Sequence, residues 1–197
     1  MLSTGRTLLG GVVAGLILFL VGFVFWATPI HHFAYTDADD ARNAAVQLSL
    51  AQNLTQSGTG TYVIPAPHTQ HGATLYSQGP IATVHYNTNG YSPDDMSMLL
   101  PGIVMALISG MLISFALAAV CGGGRSFSAS AQLVILFSVG VTMWTILAQP
   151  VFNHFGWGYW VYSFVAETTG LVLAGLVVAR WFLPPARTAP ADAPTDV

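Results

Sequence analysis

Long apolar runs and one extended polar segment divide the chain. The apolar runs cover residues 8–27, 98–120, 133–151 and 161–183. Each is about 20 residues long, and an α-helix of that length crosses a hydrocarbon core about 30 Å thick. The pattern therefore predicts a mainly α membrane protein with four transmembrane helices, in which the polar segment follows the first helix.

The polar segment predicts a small α+β insertion with the order helix, strand, loop, strand. Thr36-Asp37-Ala38-Asp39 resembles a capping box, after which apolar residues recur at helical spacing over about 18 residues. Residues 61–64 and 81–86 are rich in β-branched and aromatic residues, which favour strands. Residues 65–80 contain three prolines and two glycines, so we expect a loop there.

The arginines predict the orientation of the helices. Four of the five lie on one side of the predicted spans: Arg6, Arg125, Arg180 and Arg187. Because basic short loops tend to stay in the cytoplasm, both termini are expected there. This gives a cytoplasmic N-terminus with the first span (residues 1–27), an extracytoplasmic segment (28–97), a three-helix bundle (98–183) and a disordered cytoplasmic tail (184–197).

Composition narrows the function classes. Hydrophobic residues make up 53% of the chain and charged residues only 7%, which is typical of membrane proteins. The chain has no lysine, so an electrostatic nucleic-acid surface is excluded. Its single cysteine, Cys121, cannot form an intramolecular disulfide and is expected to be buried.

Small residues recur on the first two spans. On the first helix, Gly11, Gly15 and Gly22 share one face, and on the second, small residues follow at intervals of four: Gly102, Ala106, Gly110, Ser114 and Ala118. Such stripes serve both packing within a chain and homodimerisation, so both remain open. Ser92-Pro93-Asp94-Asp95 is expected to begin the second helix, because it supplies a cap, an early proline and acids for the first turn.

Glu167 is the only acidic residue inside a predicted span. An ionisable group in hydrocarbon is costly, which makes Glu167 a functional candidate. An intramembrane polar cluster is expected around it at the same depth: Thr142, Thr145, Gln149 and Ser163. Three roles are open for this acid, namely structural glue between helices, a proton or ion site, and contact with a partner subunit or lipid headgroup.

All six histidines fall on the predicted outer side. His68 and His71, with His85 and the thioethers of Met96 and Met98, offer ligands that suit copper more than zinc. The spacing of two residues between His68 and His71 does not by itself orient both imidazoles toward one ion, so solvated histidines are the alternative.

Aromatic residues gather where the fourth span begins. They are Trp157, Tyr159, Trp160 and Tyr162. Tryptophan and tyrosine are enriched at membrane–water interfaces, so this group is expected to be an interfacial belt. Aromatic recognition of a cofactor is the alternative.

Several segments together resemble a family of small uncharacterised bacterial membrane proteins. They are residues 60–65 (GTYVIP), 79–87 (GPIATVHYN), 156–160 (GWGYW) leading into Glu167, and 173–176 (LAGL). The resemblance implies one span, a short outer domain with a tyrosine-bearing strand that ends in proline, and three further spans. It implies location in the bacterial inner membrane and no established activity.

No sequence motif for catalysis, phosphate binding or a cofactor is present. We therefore expect a non-enzymatic accessory or interaction subunit without a cofactor, whose partners are the lipid bilayer and a membrane protein or a second copy of the chain. Two alternatives remain open. One is a small proton- or ion-coupled transporter that uses Glu167, and the other is an extracytoplasmic copper or zinc binder that uses His68 and His71.

Overall fold

A computed structural model describes residues 4–184, which divide into two compact units. The helical unit contains residues 4–36 and 96–184, and the insertion unit contains Asp37–Asp95. The predicted tail, residues 184–197, lies outside the described residues except for Pro184.

Seven helices and two strands follow one another along the described chain. In order they are α1 (Thr4–Ala27), α2 (Asp40–Leu54), β1 (Gly60–Ile64), α3 (Gln70–Gln78), β2 (Ala82–Tyr86), α4 (Leu99–Cys121), α5 (Phe127–Thr142), α6 (Ala148–Asn153) and α7 (Trp157–Val177). A π-turn, Met143–Leu147, joins α5 to α6, and a second, Val178–Phe182, extends α7. Short 3₁₀ turns follow α1 (Pro29–Phe33) and α2 (Thr55–Ser57).

Four continuous helices are long and apolar enough to cross a membrane. They are Thr4–Ala27, Leu99–Cys121, Phe127–Asn153 and Trp157–Phe182. The four predicted apolar helices are therefore confirmed as helices. The third begins six residues before its apolar run, because the Ser126 side chain caps it by accepting a hydrogen bond from the Ala129 backbone N–H.

The predicted start of α4 at Ser92-Pro93-Asp94-Asp95 is wrong. These residues form a separate turn, in which the Asp95 backbone N–H donates to the Ser92 carbonyl at 3.0 Å. The helix itself begins at Leu99, and Met98 precedes it without a side-chain cap. Capping residues can close a turn as well as start a helix, and here they close the turn.

Helix α1 packs closely on α4 through the predicted small residues. A methyl group at Gly15 would lie 2.7 Å from Cα of Leu107, and one at Gly110 would meet the Gly15 nitrogen and the Gly11 carbonyl oxygen. The buried Ser114 hydroxyl donates to the Thr7 carbonyl at 2.7 Å. The stripe of small residues thus packs α4 against α1 of the same chain, which is one of the two roles expected from the sequence.

Helix α7 completes the helical unit by packing on both α1 and α5. The core contains small and branched side chains from all these helices: Ala14, Leu117, Cys121, Val134, Ala174, Val178, Ala179 and Leu183. Cys121 is buried, as predicted. Gly22, by contrast, faces open space and does not join the predicted glycine face.

One end of the helical unit carries arginines. The Arg6 guanidinium donates to the Trp181 carbonyl at 2.7 Å, and the Arg180 guanidinium lies 5.8 Å from the ring centre of Phe127. The start of α1, the start of α5 and the end of α7 are therefore at the same end, as the distribution of arginines along the sequence requires.

The insertion unit contains the predicted pair of strands. Strands β1 and β2 are antiparallel, with Gly60 opposite Tyr86 and Ile64 opposite Ala82. The Tyr86 hydroxyl hydrogen-bonds that of Thr55 at 2.8 Å, which ties the sheet to the turn after α2. Both predicted strands are confirmed.

Two features of the insertion unit differ from the sequence prediction. The predicted loop, residues 65–80, contains the nine-residue helix α3, so the order is helix, strand, helix, strand. Thr69 caps α3 by accepting a hydrogen bond from the Gly72 backbone N–H at 3.0 Å. The prolines and the other glycine of the segment lie outside α3, near the two ends of the segment, and Gly72 lies in the first turn of the helix. Helix α2 is capped by Asp39 instead of Thr36 and has 15 residues.

Candidate functional site

A cleft of about 400 Å³ opens between α1, α5 and α7 within the helical unit. We call it the polar cleft. Its lining combines one carboxylate, the hydroxyls of two threonines and a serine, and three large aromatic side chains with aliphatic residues: Trp26, Val141, Thr142, Thr145, Ile146, Tyr159, Trp160, Ser163, Glu167 and Leu171.

The polar cleft brings together four of the five residues of the predicted polar cluster. Glu167, Thr142, Thr145 and Ser163 all line it. Gln149 does not; its amide donates to the Thr145 carbonyl at 3.3 Å and its side-chain oxygen accepts from Asn153 at 3.1 Å. Gln149 is therefore not among the residues that line the cleft, and the polar cluster as a site stays a prediction.

The π-turn explains the departure of Gln149. Helical spacing places Gln149 below Thr142 only if the helix between them is regular. The turn Met143–Leu147 lies between them and adds about one residue, or roughly 100° of rotation, to the helix. Pro150 lies one turn after Ile146 and has no N–H to offer its carbonyl, which favours such an irregular turn.

Glu167 forms no hydrogen bond or ion pair with any other residue in the range 4–184, and its side chain is exposed along the cleft. The hydroxyls around it bond elsewhere. Thr145 donates to the Val141 carbonyl at 2.9 Å, and Ser163 donates to the Tyr159 carbonyl at 2.8 Å. The carboxylate is thus left facing the cleft.

The hydrogen bond between α5 and α7 comes from a residue that the sequence prediction missed. Thr168 bonds the hydroxyl of buried Thr142 at 2.7 Å. This bond joins the two helices, whereas Glu167 bonds no other described residue, and the three roles expected for Glu167 stay predictions. Thr168 follows Glu167 in the sequence, and a polar residue at that position of a predicted span was the feature that could have identified it.

Aromatic side chains that line the polar cleft contact one another. The ring centre of Trp26 lies 5.9 Å from that of Tyr159 and 5.2 Å from that of Tyr162. The Tyr162 hydroxyl donates to the Phe25 carbonyl on α1. Two members of the predicted aromatic belt therefore contact α1, while Trp157 is exposed.

A second cleft, the apolar groove, has a volume of about 350 Å³ and lies between α4, α5 and α7. Ser138 is the one lining residue with a polar side chain. Val141 and Leu171 line both clefts, and Glu167, Leu171 and Gly175 follow at intervals of four on one face of α7. The polar cleft and the apolar groove are therefore adjacent along α7.

The candidate metal ligands lie in the insertion unit. His85 pairs across the sheet with Thr61, with 3.0 Å between imidazole Nδ1 and the threonine hydroxyl. His68 precedes α3 and His71 lies in its first turn, and both are exposed. Among residues 4–184, no three His, Cys, Asp or Glu side chains come close enough together to hold a metal ion. Metal binding by these histidines stays a prediction.

No family model, curated protein or solved structure matches the chain. The resemblance to a bacterial four-span family therefore stays a prediction.

Proposed function

We propose that this protein is a non-enzymatic subunit of the bacterial inner membrane that binds a partner protein through its extracytoplasmic insertion. The four apolar helices support membrane insertion. Arg6 and Arg180 lie at one end of the helical unit, which supports a cytoplasmic location for that end and for both termini.

The observation that carries this proposal is the uncovered apolar face of α2. Its residues follow at intervals of three, four and three, which is the spacing of a helix–helix seam: Ala41, Ala44, Leu48 and Ala51. All four are exposed, and 59% of Leu48 is accessible. A helix of 15 residues is marginal in water unless an apolar face is buried. The face is therefore suited to a partner.

The charges of α2 favour a protein helix over the lipid surface as that partner. Helices that lie on membranes usually carry several lysines or arginines on their polar face. Helix α2 has the single arginine Arg42, which forms an ion pair with Asp39 at 3.2 Å, and Asp40 adds a further negative charge. Anionic lipid headgroups would gain little from such a helix.

Site-specific photo-crosslinking in intact membranes tests this proposal. A photoreactive residue at Leu48 should give a discrete crosslinked protein band, whereas one at the exposed Asn53, five residues later and on the opposite side of α2, should give little. The substitution Leu48→Asp should abolish co-purification in mild detergent, and Asn53→Asp should preserve it. Equal crosslinking from both positions, or recovery of only an uncrosslinked monomer, would contradict the proposal.

A second candidate function is proton- or ion-coupled transport through the polar cleft. It is supported by the carboxylate of Glu167, which lines a cleft in the middle of a candidate span and has no partner among the described residues. Reconstitution in liposomes should then show flux that Glu167→Gln removes and Asp37→Asn leaves intact. Flux that is unchanged in Glu167→Gln rules out this role.

A further inference from the structure

Glu167 is an ionisable residue within a candidate membrane span. A carboxylate within a membrane span must be protonated or paired, because an isolated charge in hydrocarbon is costly. Among residues 4–184, no arginine or histidine lines the polar cleft or the apolar groove. A cation bound in the cleft would supply a positive charge beside Glu167.

The aromatic residues of the polar cleft suit the same kind of charge. Trp26, Tyr159 and Trp160 line the cleft together with Glu167. Aromatic rings attract organic cations through the negative potential of their faces, and such contacts strengthen where water is excluded. A carboxylate and three large aromatic side chains in one cleft are complementary to an ammonium-type group, whereas the carboxylate would repel an anion.

The apolar groove defines the rest of the ligand. It adjoins the polar cleft through Val141 and Leu171 and is almost entirely apolar. Volumes of about 350 Å³ and about 400 Å³ lie within the range of small-molecule sites, about 300–1,000 Å³. A molecule that occupied both clefts would place a charged group beside Glu167 and an apolar body against α4 and α5.

We propose that the polar cleft and the apolar groove together bind a lipophilic organic cation, with its charge nearest Glu167 and its apolar groups against the groove. A freely diffusing cation fits better than a lipid headgroup. Glu167 lies ten residues after Trp157, or about 15 Å along α7, which is below the headgroup region if α7 spans the bilayer. This inference requires neither the α2 partner nor transport.

Three tetraphenyl compounds of similar shape test the charge requirement. Tetraphenylphosphonium is the cation, tetraphenylborate the anion and tetraphenylsilane the neutral analogue. Equilibrium dialysis with the full chain in neutral detergent micelles, corrected for empty micelles, should show saturable binding of the cation alone. Saturable binding of the anion or the neutral compound with equal affinity, or no saturable binding of the cation, would overturn the proposal.

Substitutions then test the residues. Glu167→Gln keeps the shape of the side chain and removes its charge, so affinity for tetraphenylphosphonium should fall about tenfold or more, as expected when a poorly solvated charge pair is lost. Glu167→Asp keeps the charge and should keep most of the binding. Asp37→Asn removes an acidic charge from the insertion unit and should have no effect.

Aromatic substitutions add a second arm. Trp160→Leu should weaken binding of the cation about threefold to tenfold, in line with the strength of cation–π contacts. Trp144→Leu is the matched control, because Trp144 is an exposed tryptophan of the third span that lines neither cleft. Equal affinity in wild type, Glu167→Gln and Trp160→Leu would place the cation elsewhere and refute the assignment.

Discussion

The interface between α1 and α4 and the interface between α5 and α7 join helices of the same unit in opposite ways. At the first, glycines bring two backbones together, and a buried serine bonds across the seam. At the second, one pair of threonines bonds across, and beside it an open cleft exposes a carboxylate. The first interface is built for packing, whereas the second leaves room for another molecule.

The close approach of α1 to α4 depends on Gly110. We expect Gly110→Ala to lower the free energy of unfolding by about 2–3 kcal/mol, because the added methyl group meets backbone atoms of Gly11 and Gly15 that cannot move alone. Gly140→Ala, on the open side of α5, is the control and should be neutral or slightly stabilising. Denaturant unfolding in mixed micelles measures the free energy of unfolding of both variants. Equal stability of the two would contradict the close packing of α1 on α4 at Gly110.

Ser114 tests the polar contact in the same seam. Its hydroxyl is buried and donates to the Thr7 carbonyl. We expect Ser114→Ala to cost about 1 kcal/mol of stability, because the lost hydrogen bond leaves that carbonyl without this donor. The same unfolding measurement decides the matter, and a loss below about 0.3 kcal/mol would show that the bond contributes little.

Substitutions at Thr168 and Thr145 compare a hydrogen bond between α5 and α7 with a hydrogen bond within one helix. Thr168→Val removes the interhelical bond to Thr142 and should cost about 0.6 kcal/mol, a typical value for such bonds in membrane proteins. Thr145→Val removes only a bond to the Val141 carbonyl and should cost less. If Thr145→Val is the more destabilising, the assignment of Thr168 as the interhelical contact is wrong.

The helices themselves were predictable from sequence, since length and hydropathy decide whether a run can form a long apolar helix. The seam was also predictable, because Gly110 and Ser114 belong to a stripe of small residues that is visible in the sequence. The start of α4 was not, because Ser92, Pro93 and Asp94 have the same preferences for a turn as for a helix cap. Helix α3 was not predicted either. Pro65 and Pro80 lie at the two ends of the segment that contains it, and prolines there favour a loop.

The polar cleft was predictable only in part. Regular helical spacing groups Thr142 and Thr145 with Glu167, and all three line the cleft. Gln149 does not line it, and spacing alone does not show that a π-turn rotates the helix before that residue. Sequence also gives no measure of hydrogen-bond partners, so it could not show that Thr168 bonds Thr142 while Glu167 bonds no other described residue. That difference depends on side-chain direction across two packed helices.

The most direct measurement compares stability and cation affinity in one variant, Glu167→Gln. If Glu167 binds a ligand in the cleft and does not hold α5 to α7, the substitution should change the free energy of unfolding of the protein by less than about 0.5 kcal/mol. No bond to another described residue is lost. The affinity of this variant for tetraphenylphosphonium should fall about tenfold or more. A variant that loses stability by more than about 1 kcal/mol while it binds the cation as tightly as wild type would contradict this role for Glu167.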